Sequence, residues 1–180
     1  MAVCTLEGHV SRALDFYNKE NIFVCIGKKN PWNEDTVDSY DSNVDYDRYP
    51  PVPKNTDTII EPIGYKKIDS RFMVVEDNVN GSLEYRGTRW RIVSPDNAIT
   101  EGARWVYITT ELSYSELPTS DPYRQVGIYT GLTPIESKLS ENVLLPDEVE
   151  NTGILEIIDN RKPVYRDSDV KEKIKLVLEF

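Results

Sequence analysis

The residues best placed to do chemistry in this chain are carboxylates. Asp41-Ser42-Asn43-Val44-Asp45 has the Asp-x-Asn-x-Asp spacing that opens a calcium loop, where alternate side-chain oxygens converge on one hard cation. The sixth position, where such a loop needs glycine for its sharp turn, is Tyr46. The twelfth, where it needs a bidentate glutamate, is Val52. The expectation is therefore a solvated acidic loop and no bound metal. Imidazole chemistry rests on His9 alone, too little for a histidine metal cluster. There is no nucleophile elbow, phosphate-binding glycine loop or Cys-x-x-Cys. Among 31 acidic residues no glycosidase-type pair can be singled out. The sequence predicts neither an enzyme nor a cofactor.

Two groupings could instead serve binding. Arg86, Arg89, Trp90, Arg91, Arg104 and Trp105 bring aromatics and cations together, as stacking on bases or sugars requires. Cross-strand pairing of Arg and Trp on a two-stranded ribbon would produce the same pattern. A carbohydrate-binding or glycan-processing module using Trp90 and Trp105 is the reading that follows from the first alternative. The second grouping lies between Lys28 and Pro62, where no sustained apolar period appears and Pro31, Pro50, Pro51, Pro53 and Pro62 recur. Glu34, Asp35, Asp38, Asp41, Asp45 and Asp47 follow one another there with no basic residue between Lys29 and Arg48. Trp32, Tyr40, Tyr46 and Tyr49 are interleaved with them. Disordered segments are poor in aromatics, and long loops in compact domains tend to be functional. The segment is expected to be an interaction arm. Its protein-contact residues would be Trp32, Tyr40, Tyr46, Tyr49, Pro50, Pro51 and Pro53.

The elements that must position these residues are mostly strands. A helical stripe through Leu6, Val10, Ala13, Leu14 and Tyr17 predicts a helix from about Leu6 to Asn18. Ile22 to Ile26 is continuously apolar and ends at Gly27, as a buried central strand would. Further strands are predicted at 71–75, 83–86, 88–93, 105–110, 125–129, 154–158 and 173–180, the last alternating Ile174, Leu176, Leu178 and Phe180 on one face. The expected class is α+β: the N-terminal helix packed on a mixed or antiparallel sheet containing both 22–26 and 174–180.

The chain has 180 residues, enough for one domain spanning 1–180 with a real core and no disulfides. With 21 basic against 31 acidic side chains the net charge is −10, which argues against nucleic acid or an anionic membrane as partner. No apolar run approaches the ~20 residues of a membrane span. The start, MAVCTLEGHV, carries no secretory pattern, so Cys4 and Cys25 are expected to be reduced thiols.

An ordered series of segments resembles a known family. Ala13-Leu14-Asp15-Phe16-Tyr17-Asn18 leads through Ile22-Phe23 and Gly27-Lys28-Lys29 to Pro31-Trp32, followed by Pro50-Pro51-Val52-Pro53. Later come Tyr123-Arg124-Gln125, Thr133-Pro134-Ile135-Glu136, Pro146-Asp147-Glu148, Asn160-Arg161-Lys162-Pro163 and the closing Phe180. In this order they are similar to the dimeric baseplate wedge subunit of T4-type contractile-tail phages, the gene product eight family, in a shortened version. The resemblance covers both ends of the chain and lacks that family's large inserted β domain, in whose place it implies only a reduced β-rich insert in the middle, at about 65–100. It implies a non-enzymatic structural subunit of the tail baseplate wedge, assembled in the host cytoplasm. It also implies a homodimer that contacts other wedge proteins.

Overall fold

Helix α1 (Leu6–Tyr17) starts where Thr5, with extended backbone, turns its hydroxyl to accept from the Gly8 amide at 3.1 Å, the usual N-cap device. It closes with the Asn18 amide donating to the Leu14 carbonyl at 2.9 Å. Val10, Ala13 and Phe16 are its buried residues, at the three- and four-residue steps that put side chains on one helical face. The computed structural model describes residues 3–32, 52–53, 55–117 and 121–180. The described chain divides into two compact units, and its path passes between them at 19–20, 67–68, 111–112 and 172–173.

The first unit holds α1 and a five-stranded sheet. Its strands are β3 (Ser70–Glu76), β4 (Leu83–Tyr85), β5 (Thr88–Val93), β6 (Trp105–Leu112) and β12 (Glu172–Glu179), in the order β12-β6-β3-β5-β4. β3 pairs antiparallel with both β5 and β6, with Val74 opposite Ile92 on one side and Trp105 on the other. Alternation then sorts the side chains. Phe72, Val74, Trp90, Trp105, Tyr107 and Val177 cluster on one face. Met73, Val106, Ile108, Ile174, Leu176 and Leu178 are buried on the other. α1 lies against β3, and the Phe16 ring meets Phe180 at 5.0 Å between centroids. A short helix, α2 (Ala98–Glu101), is stopped by Gly102 at φ 66°, and the Ala103 amide returns to the Ala98 carbonyl at 2.8 Å.

The second unit is built on the sheet β11-β7-β1-β2-β9, with β1 (Phe23–Gly27), β2 (Gly64–Lys67), β7 (Tyr123–Thr130), β9 (Val143–Leu144) and β11 (Ile154–Val164). β1 pairs antiparallel with β2 and β7, and β7 with β11. Every residue of β1 and β7 is buried, which is why β1 reads as an unbroken apolar run. β8 (Thr133–Pro134) and β10 (Val149–Asn151) form a separate two-stranded ribbon.

The α+β class, the N-terminal helix and the antiparallel sheets agree with the sequence reading. One expectation needs correcting: 22–26 and 174–180 belong to different sheets, one in each unit. Both segments need sheet neighbours and cover, and each finds them separately. Nothing in an apolar run or an alternating strand says which sheet it joins.

Candidate protein-interface site

The predicted arm leaves the second unit from the end of β1. Gly27 is followed by Lys28 at φ 59°, a left-handed turn that sends the chain off the sheet. The chain returns beside its own exit: the Lys28 amide donates to the Ile60 carbonyl at 2.6 Å and the Ile63 amide to the Ile26 carbonyl at 2.8 Å. The two roots of the arm are therefore hydrogen-bonded to each other.

Glu61, also left-handed at φ 46°, staples the outgoing root. Its Oε2 accepts from the Lys29 amide at 2.9 Å and the Asn30 amide at 3.1 Å, and its Oε1 from Asn30 Nδ2 at 2.8 Å. Lys28 Nζ stands 3.9 Å from the same carboxylate. Burial works against ionising Glu61, but the Asn30 and Lys29 bonds and the nearby Lys28 charge hold its carboxyl below the ordinary range. The Arg124 guanidinium, from β7, donates to the Lys29 carbonyl.

The returning root is fixed by side chains of β7. The Ile60 amide donates to Gln125 Oε1 at 2.8 Å, and Gln125 is held in turn by Asn160 Oδ1 at 2.9 Å. The Ile59 amide donates to the Tyr129 hydroxyl at 3.1 Å. Ile59 is 3% exposed and sits in a slot made by two glycines. A Cβ on Gly27 would come within 2.4 Å of Ile59 Cγ2, and one on Gly127 within 2.8 Å of Ile59 Cδ1. Only the absence of side chains at both positions admits this residue.

Of the predicted contact residues, Trp32 is half-buried, with Lys28 Nζ 5.8 Å from its ring centre, and Pro53 is exposed. Tyr40, Tyr46, Tyr49, Pro50 and Pro51 lie outside the described residues, as does the acidic run Asp41 to Asp45. Among the described residues no group of three or more His, Cys, Asp and Glu side chains is arranged to hold a metal ion. The fastening residues Glu61, Ile59, Arg124 and Gln125 were not legible as a site in the sequence. The one trace is the pair Ile59-Ile60, apolar inside a polar, proline-rich stretch.

In the first unit, Trp90 and Trp105 meet edge-on at 5.6 Å between centroids. They sit on β5 and β6, strands separated by β3, and not on a two-stranded ribbon. Trp90 is only 7% exposed, and Arg104 lies 4.4 Å from the Trp105 ring centre while pairing with Glu179 at 3.0 Å. This packing supports the sheet more than it offers a face for stacking sugars. Cys25 is buried beside Tyr65, and burial pushes its thiol far above the ordinary value, so it is no nucleophile at neutral pH.

Comparison with known proteins agrees with a structural reading. The family described as Baseplate wedge 3 tail fiber network component matches residues 1–180. Virion protein 3 of Enterococcus phage phiEF24C is 33% identical over 189 residues, covering 99% of this chain and 96% of the relative. The chain belongs to the Baseplate wedge 3 tail fiber network component family.

Proposed function

We propose that this phage baseplate protein is a non-enzymatic subunit of a contractile-tail baseplate wedge, a shortened relative of the T4-type gene product eight subunits. It acts as a homodimer that binds neighbouring wedge proteins, and it enters the virion baseplate from the host cytoplasm. Residues 28–62 are the arm that reaches those neighbours, and residues 65–100 stand in for the larger inserted domain of the T4-type subunits.

The observation that carries this reading is the fastening of the arm's roots. A surface loop without function has no need of two left-handed residues, a carboxylate staple and a glycine-lined slot at its base. A pre-fixed base lowers the ordering cost when the segment beyond it docks, and aromatics supply the contact area that anchors interfaces. The test is a mass-spectrometric inventory of purified tails together with the solution mass of the isolated protein. The expected result is this chain as a stoichiometric tail component, and a particle of two 20.7 kDa chains in solution. Absence from tails would overturn the function, and a strictly monomeric protein would overturn the dimer.

A further inference from the structure

The second unit also contains a cavity of about 450 Å³. Its apolar surface comes from Ile63, Leu117, Val143 and Leu145. Leu117 rests directly on β2: a Cβ at Gly64 would stand 2.5 Å from Leu117 Cδ2. β9 carries Val143 and is held to β2 by the pairs Tyr65–Leu144 and Lys66–Val143. Leu145 is 45% exposed, so its apolar surface continues outside the cavity. The volume falls within the roughly 300–1,000 Å³ of ligand clefts.

The rim is acidic and rigid. Glu116 accepts from the Ser113 amide at 2.7 Å and from Lys66 Nζ at 2.5 Å. Glu148 accepts from the Leu145 amide at 2.8 Å and pairs with Lys138 at 2.8 Å. Burial works against ionising Glu116, but its bonds to Lys66 and Ser113 outweigh it, and the Leu145 and Lys138 bonds do the same for Glu148, so both carboxyls lie below the ordinary range. Glu141 adds a third carboxylate to the cavity, against the single lining lysine Lys138 and the adjacent Lys66.

We propose that this cavity docks an extended segment of another baseplate protein, one that presents an aliphatic side chain to Leu117 and Leu145 and an adjacent Lys or Arg to the Glu116–Glu141–Glu148 rim. The proposal rests on the baseplate reading above. Charge selects the occupant: the rim has one carboxylate in excess and the whole chain carries −10, so a second copy meets repulsion where a basic segment meets attraction.

The test uses phage whose Leu145 is replaced by a photo-crosslinking phenylalanine analogue, irradiated as assembled tails and read by mass spectrometry. The expected product joins position 145 to a different tail protein, at a segment with an aliphatic residue beside a Lys or Arg. Glu141→Lys, melting like the parent protein, is expected to lower the yield about tenfold. Crosslinks confined to this chain or its copies, crosslinks to a segment without a cation, or a yield unchanged by Glu141→Lys would overturn the docking proposal. So would the absence of any intermolecular product, as when a small molecule fills the cavity. If the subunit is present in tails, each of those results leaves the baseplate reading standing. If it is absent from tails, both fall.

Discussion

The Ile59 side chain holds the returning root to the sheet by volume, filling the space that Gly27 and Gly127 leave open, beside the hydrogen bond from its amide to Tyr129. Ile59→Ala leaves that slot empty and is expected to cost about 2–4 kcal/mol in a denaturant melt. Gly127→Val, which forces a side chain against Ile59, should destabilise comparably through overpacking. Glu172 offers a different test. The Tyr123 hydroxyl donates to its carboxylate, and Arg166 Nε stands 3.9 Å away. The remaining nitrogens of Arg166 donate to the carbonyls of Leu117 and Ser113. Burial pushes the Glu172 carboxyl up to about 7 from an ordinary 4.5. Between those values the folded protein keeps a proton that the unfolded chain has released, so the contribution of Glu172 to stability is greatest below pH 4.5 and falls as pH rises toward 7. Glu172→Gln cannot ionise. It should flatten that decline and raise stability at pH 8 by up to about 3 kcal/mol, as measured by urea melts across pH. An unchanged pH profile in the variant would contradict the assignment.

The strands show what a single sequence reveals. Segments with several consecutive strand-forming residues, such as Arg71 to Val75 and Thr88 to Val93, were legible because periodicity accumulates over length. β2, β8, β9, β10 and α2 were not, since elements of two to four residues carry little period of their own. Sheet membership was equally hidden, as 22–26 and 174–180 show. Within the candidate site, aromatic and proline composition singled out residues 28–62 as a candidate arm, but the fastening of the ends of that segment depends on side chains from distant residues, Arg124, Gln125 and Tyr129, whose roles composition cannot reveal. β12 gives the prediction at this scale. Deleting residues 174–180 removes Ile174, Leu176 and Leu178, each buried to within 4%. At about 2–5 kcal/mol per lost side chain the sum matches the whole stability of an ordinary domain. The truncated chain should therefore lose its cooperative thermal transition, followed by circular dichroism. A melt at the parent temperature would show that the strand is dispensable.

As a whole the molecule is an acidic protein of a baseplate family, with two packed units and one long segment whose ends are fastened to a sheet. On the proposed function, the acidic residues along 34–47 would serve encounter with a basic neighbour and the interleaved aromatics the contact with it. Raised ionic strength should accordingly slow assembly more than it weakens the finished particle, which a time course of wedge formation at two salt concentrations would measure. The central claim is that this arm, and not the folded units alone, brings the subunit into the wedge. Its most direct test replaces Trp32, Tyr46 and Tyr49 together by alanine and follows both the thermal melt of the protein and its incorporation into tails. The account predicts a subunit that melts like the parent yet no longer enters the wedge or pairs with a second copy; incorporation at the parent rate, or loss of the fold itself, would contradict it.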